Sequence, residues 1–141
     1  MPTVTTNYFR QELAAGHVNL SGADTFAVAL MSDYVNVSTS QIDTLKAQSA
    51  WSDVSAYESS SVGYSATTLT AGNLYINNSN ALCWNGTNIS WNNITNSPYG
   101  LCIYRPSNGL VVGFIDFGEQ KIAVNGSITI RWNEGGIAQI T

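Results

Sequence analysis

Charge is scarce in this chain of 141 residues. Only 10% of positions are Asp, Glu, Lys or Arg, against about a quarter in an ordinary soluble domain. The nine acids outnumber the five bases, giving a net charge of −4. Arg10, Lys46, Arg105, Lys121 and Arg131 are scattered and form no basic stripe, so nucleic acid is not expected as a partner. Histidine occurs once, at His17, which excludes a two-His metal site within one subunit. Catalysis through His17 would need a nucleophile and an orienting partner, and neither is identifiable. It follows Gly16 at the end of a candidate helix, where an imidazole can interact with terminal carbonyls.

Cysteine occurs twice. Cys83 and Cys102 lack the short spacing of zinc ligands and sit among apolar residues, as buried free thiols do. A disulfide between neighbouring strands is the other option, unnecessary in a reducing cytosol. No run approaches the roughly 20 apolar residues of a membrane span, so no membrane is expected. The first residues, Met-Pro-Thr-Val-Thr-Thr-Asn, show no basic region followed by an apolar core, so no secretory signal is expected. Neither Gly113 nor Gly135-Gly136 belongs to a phosphate-cradling pattern. The expected lists of catalytic residues, metal ligands and cofactors are therefore all empty.

With so little charge, the surface must be covered by Ser, Thr, Asn and Gly. Seven Asn-x-Ser/Thr triplets follow from such loops where there is no secretory route. A single domain spanning residues 1–141 is expected. A chain this long buries roughly 68% of its unfolded surface, enough for one core.

Residues 1–6 are short and polar and predict a flexible N-terminal arm. Asn7 to Gly16 predicts one short helix, with Asn7 as N-cap and Gly16 as the stop. Tyr8 or Phe9 with Leu13 gives its apolar stripe. Residues 25–31 read as a buried strand. Residues 32–63 predict a long surface excursion, with a helical turn or two around Ile42 and Leu45. Long excursions tend to be functional.

From Tyr64 strands resume. Residues 73–76 and 81–84 flank a polar turn of hairpin size at 77–80. Ile89 and Trp91 alternate, a loop is expected from Asn92 to Pro98, and residues 99–104 read as a core strand. Arg105-Pro-Ser-Asn-Gly109 is a strong turn signal. Residues 110–116 are an apolar run that suits a strand covered on both faces. Ile128, Ile130 and Trp132 alternate with Thr129 and Arg131, as in a half-buried strand. With Asn125-Gly126 as a tight turn, residues 110–132 predict the central hairpin. The spacing of strands and turns predicts an all-β fold, an antiparallel β-sandwich or jelly-roll-like barrel with one short N-terminal helix.

Two groups invite a chemical reading. Asp116 and Glu119 bracket Phe117-Gly118, and paired carboxylates can hydrolyse glycosides. Nearby Lys121 and the lack of a supporting feature favour a solvated turn. Trp51, Trp84, Trp91, Trp132 and seven Tyr suit either a sugar-stacking platform or core packing. Trp51, within the irregular excursion, is the one that marks an interface.

The chain also carries an ordered set of short motifs: Tyr8-Phe9 with Leu13, Phe26-Ala-Val-Ala-Leu-Met31, Asp53-Val-Ser-Ala-Tyr57, Gly63-Tyr64, Ile89-Ser-Trp91, Ile103-Tyr104, Gly113-Phe-Ile-Asp-Phe-Gly118 and Ile128-Thr-Ile-Arg-Trp132. Together they resemble a family of small tailed-bacteriophage and prophage virion proteins. The resemblance implies a non-enzymatic capsid decoration, or cement, protein on the capsid surface, made in the bacterial host cytoplasm. It implies the major capsid protein as partner and a homotrimer as the assembly. The expected contact residues are Val4, Tyr8, Phe9, Trp51 and Tyr57. The alternative is a receptor- or glycan-binding module of a phage tail or head fibre.

Overall fold

The structure, a computed structural model, describes residues 3–20, 24–32, 42–69, 71–76, 78–80, 82–132 and 138–140, with the backbone alone at 71–73, 75 and 138–140. Strands hold 45% of the residues and short helices 18%, so the fold is all-β. In chain order the elements begin with β1 (Thr3–Thr5), α1 (Asn7–Ala14) and β2 (Phe26–Met31). Next come α2 (Ile42–Lys46), α3 (Trp51–Val54) and a 3-10 turn at Ser55–Tyr57. The remaining strands are β3 (Thr67–Leu69), β4 (Ala71–Ile76), β5 (Leu82–Gly86), β6 (Ile89–Asn96), β7 (Gly100–Arg105), β8 (Leu110–Asp116), β9 (Ala123–Ile130) and β10 (Ala138–Ile140). Every strand pair is antiparallel.

The strands form a five-stranded sheet of order β1-β8-β7-β2-β3, a three-stranded sheet β10-β5-β4 and a two-stranded sheet β6-β9. The five-stranded sheet lies in the middle of the molecule. Phe26, Val28 and Leu30 of β2, with Leu101 and Ile103 of β7, face the other two sheets and meet Trp84, Trp91, Ile94, Ile128 and Ile130. This is the sandwich core. Phe26 and Trp84 pack edge to face, ring centroids 5.0 Å apart, a favoured aromatic geometry. The intervening residues, Ala29 and Met31 of β2, Cys102 of β7 and Phe114 of β8, face the opposite way, onto Leu45 of α2 and Val54 of α3. Because successive strand residues point to opposite faces, a sheet covered on both sides needs apolar residues at every position. All six residues of β2 and all seven of β8 are buried.

β7 and β8 form the hairpin that the turn at 105–109 predicts. Gly109 sits at φ 75° and its N–H donates to Arg105 O at 2.8 Å. The register shifts between Ile103 and Tyr104, where Val112 is the extra residue of a bulge, so Val112 and Leu110 reach the sandwich core while Val111 faces the helices. Gly113 is needed for a different reason. A Cβ there would lie 2.4 Å from Val4 O, so the close approach of β1 to β8 requires a residue without a side chain. The β4–β5 hairpin and the helical turn at Ile42–Lys46 also lie where the sequence predicts them.

Four expectations are corrected. The central hairpin at 110–132 does not form: β8 pairs with β1 and β7, and β9 pairs with β6. Asn125 does take a positive φ of 48°, but within β9. Its effect is to flip the strand's phase, so that Ala123 and Ile128 both point inward while Val124 points out. The loop expected at 92–98 is largely strand, since β6 runs on to Asn96. Residues 3–6 are no free arm. β1 pairs with β8 through Val4↔Phe114, and Val4 and Thr6 are buried; Met1 and Pro2 lie outside the described residues. Finally, the N-cap of α1 is Thr6, not Asn7. The Thr6 hydroxyl accepts from Phe9 N and donates to Val111 O at 2.6 Å. An Asn can cap only from outside the helix, and Asn7 is already its first residue.

The far end of α1 follows the sequence closely. Gly16 at φ 79° donates to Leu13 O, and His17 N donates to Glu12 O at 2.9 Å. These are the paired bonds of a left-handed glycine stop. Phe9, not Tyr8, is the buried partner of Leu13 on the core.

Candidate interaction surface

The residues that invite a chemical reading lie apart from one another, some buried and some on the surface. Asp116 is buried and accepts from Gly118 N at 2.8 Å, closing the turn after β8. Glu119 is exposed and paired with Lys121 at 2.8 Å. The Lys121 ammonium, by hydrogen bond and by charge, holds the Glu119 carboxyl below its usual range. His17 Nδ1 lies 2.8 Å from Glu12 Oε2. Cys83 and Cys102 are buried and not joined in a disulfide, and they lie on separate sheets. Burial pushes the Cys102 thiol well above its ordinary value. No group of three His, Cys, Asp or Glu that might hold a metal occurs among the described residues. No helix among them is long and apolar enough to cross a membrane.

Arg105 is a buried base that sequence reasoning passes over. It donates to Asp24 Oδ2 at 2.8 Å, His17 O at 2.9 Å and Asn108 Oδ1 at 3.1 Å. It thereby ties the connection after α1 to the β7–β8 turn. Asp24 also accepts from Asn19 N at 2.7 Å. A buried guanidinium has to be met by acceptors on several sides, and these three supply them.

The segment 57–64 explains two of the sequence motifs. β3 covers β2 only along Phe26–Val28, so the backbone of Leu30 and Ser32 needs other partners. Ser59 N donates to Leu30 O at 2.8 Å and Ser32 N donates to Tyr57 O at 2.8 Å. The Tyr64 hydroxyl accepts from Leu30 N at 2.8 Å and donates to Glu58 Oε1 at 2.8 Å. Burial, then this bond to Glu58, drives the Tyr64 phenol far above its ordinary range. Gly63 precedes it at φ 81°, and a Cβ there would lie 2.9 Å from Asn93 O. Tyr57 and Tyr64, from the two motifs, with Glu58 and Ser59 between them, thus complete a sheet edge.

The five expected contact residues do not form one surface. Val4 and Phe9 are core residues, 5% and 2% exposed. Trp51 is half-buried, stacked on Tyr104 with ring centroids 4.1 Å apart and planes 1° apart. Tyr8 and Tyr57 are exposed, on α1 and on the 3-10 turn respectively. The other three Trp are likewise committed. Trp84 and Trp91 are buried, and Trp132 is half-buried with its Nε1 donating to Thr87 O at 2.8 Å.

The exposed aliphatic side chains lie elsewhere. Leu74, Ile76 and Leu82 are exposed on the β4–β5 hairpin, Val62 is exposed ahead of β3, and Ile122 and Val124 stand at the start of β9. A groove of about 310 Å³ runs beside β9, lined by residues 127–131 together with Phe117, Lys121 and Ile122. A smaller pocket continues it toward Thr3 and Trp132, sharing Phe117, Ile130 and Arg131. The sequence holds a signal for this surface. Ile122, Val124, Ile128 and Ile130 share one parity, and only a bulge between them can send the first pair outward. Asn125-Gly126 is where that bulge sits. Comparison with protein families, with curated proteins and with solved structures gave no match for this chain.

Proposed function

We propose that this chain is a non-enzymatic structural protein of a tailed-phage particle, a decoration or cement protein that binds the assembled shell and bridges its capsomers. Its partners on this reading are the major capsid protein and two further copies of itself. The observation that carries it from the structure is the exposure of aliphatic side chains at Ile76, Ile122 and Val124, at 60%, 70% and 70%. A contiguous exposed apolar patch marks a surface that a partner covers, and Ile122 and Val124 stand close together at the start of β9. A protein that binds only the assembled shell shifts the equilibrium toward assembly. The order of motifs that resembles phage virion proteins supplies the setting. The glycan-binding alternative is weakened because all four Trp are packed, half-buried or hydrogen-bonded, so none offers a free platform for a sugar ring.

The test is the copy number of the chain in purified particles, read by gel densitometry against the major capsid protein. Hundreds of copies per particle support the proposal. A handful per particle moves the chain to the tail or a fibre, and absence from particles overturns the reading altogether.

A further inference from the structure

The β9 groove is not a flat apolar patch. Five consecutive residues, 127–131, line it. In a strand, neighbours point to opposite faces, so a groove on either face would touch only alternate residues. One that touches all four of the β9 residues, 127–130, with Arg131 just beyond the strand's end, runs along the strand's edge, against the backbone. That edge is open, because β9 has one partner, β6, among the described residues.

Several of the other edges are guarded in the usual ways. β1, β3 and β10 are three residues long, and β4, six residues long, is the other extended edge. The β6 edge is approached by Gly63, beside Asn93 O, and by Ser65, whose carbonyl accepts from Trp91 Nε1 at 2.8 Å. Within β9 itself the first half is blunted by register shifts around Ile94 and by the positive φ of Asn125. The second half is regular, with Trp91↔Ile128, Ser90↔Thr129 and Ile89↔Ile130 in continuous register.

Charge selects what can lie there. Two of the chain's five bases, Lys121 and Arg131, line the groove, and no acid lines it among the described residues. Lys121 shares its charge with exposed Glu119. Arg131 is exposed and makes no ion pair or hydrogen bond among the described residues. On a chain of net charge −4, Arg131 is thus the unpaired cation among the described residues that line a groove of mixed polar and apolar side chains.

We propose that the β9 edge is a strand-addition site for an extended, acidic segment of a partner protein. The segment would hydrogen-bond along residues 127–131, set alternate aliphatic side chains against Phe117 and Ile122, and present a carboxylate to Arg131. Main-chain bonds would supply affinity, and the apolar pockets and the cation would supply specificity, as in other cases of strand addition. The site does not depend on the partner being a capsid, since it is argued from β9 alone.

The experiment titrates the full chain with three acetylated, amidated heptapeptides, followed by amide chemical shifts. The first alternates Val and Thr between terminal Glu and Asp. The second has Lys at both ends, and the third repeats the first with every second amide N-methylated. The expected result is saturable binding of the first peptide, with shifts centred on residues 127–131. Binding should be weaker for the second and lost for the third, since methylation removes the donors that a strand edge needs. Arg131→Glu, an exposed change that should leave the melting temperature near wild type, should weaken the acidic peptide by about tenfold and strengthen the basic one. Equal binding of the methylated peptide, shifts centred elsewhere, or no saturable binding of the acidic peptide would each overturn the proposal. None of these results bears on the copy number in particles, so this site and the shell-binding reading fail separately.

Discussion

The two faces of the five-stranded sheet are built by different means. The sandwich face is closed by strands, with Trp84 of β5, Ile94 of β6 and Ile128 of β9 meeting Phe26, Val28 and Leu30. The other face is closed by α2 and α3, which set Leu45 and Val54 over Ala29, Met31, Val111 and Phe114. The helices are five and four residues long. Helices this short are not stable alone, so they are held by what they cover. The ties to β8 are backbone bonds: Trp51 N donates to Gly109 O at 2.7 Å and Val111 N donates to Ser49 O at 3.1 Å. The strand side is a layer of hydrogen-bonded pairs, and the helix side is a cover that depends on the sheet beneath it.

Paired truncations break this comparison most strongly. Phe26→Ala on the sandwich face and Phe114→Ala on the helix face each remove a fully buried ring and should each cost about 3–5 kcal/mol. Their consequences should differ. Phe26→Ala is expected to lower the global melting transition with protection retained in proportion throughout. Phe114→Ala should in addition open 42–57 locally, because Leu45 and Val54 lose their platform. Amide hydrogen exchange resolves this. Equal loss of protection in both variants across 42–57 would mean that the two faces form one cooperative layer after all.

The difference between the faces also decides what is legible in the sequence. Continuous apolar runs at 26–31 and 110–116 correctly announce strands covered twice, because burial on both sides removes alternation. What covers the second side is not announced. Trp51, Val54 and Tyr57 are spaced by three because a single α-turn passes into a 3-10 turn, a pattern with the period of neither strand nor long helix. The error over 110–132 has a related cause. Asn-Gly is a hairpin signal by its φ preference, and Asn125 does take the positive φ, but a bulge demands the same conformation as a turn. Local sequence fixes the dihedral angle and leaves the pairing to tertiary contacts. The interaction surface is hidden for the same reason, since the phase flip at Asn125 is what exposes Ile122 and Val124. Val4 shows the converse. One apolar residue in a polar stretch looks like a loose arm, yet the neighbouring Gly113 makes room for it as an edge strand.

A smaller effect sharpens the account of how the cover is joined to the sheet edge. Tyr64→Phe removes the acceptor for Leu30 N and the donor to Glu58. A buried backbone N–H left without a partner should cost about 1–3 kcal/mol. The phenol's pKa is raised in the folded state, so folding favours its protonated form. This contribution is fully present below the unfolded value of ~10 and is lost as pH rises through the folded value. The stability gap between wild type and Tyr64→Phe should therefore hold steady up to about pH 9 and narrow in stronger alkali. Urea unfolding of both proteins across that range measures it. A gap that widens with alkali would show that the hydroxyl is not held in its neutral form.

The smallest effect lies where the chain passes from one face to the other. Val4 belongs to the helix-side cluster and Phe9 to the sandwich core, and Thr6 is the crossing point between them. Its hydroxyl caps α1 through Phe9 N at 3.2 Å and donates to Val111 O at 2.6 Å, while its own N–H donates to Val112 O at 3.0 Å. Thr6→Ala keeps the last bond and loses the other two, so it should cost about 1 kcal/mol. Thr6→Ser keeps all three and should recover most of that loss. Asn7→Ala should be close to neutral, because Asn7 is an exposed first helical residue with no capping role to lose. Urea midpoints of the three variants rank them. If Asn7→Ala proved the more costly, the helix would start one residue later than described, and the hydroxyl that joins the two faces at β8 would have to be sought elsewhere.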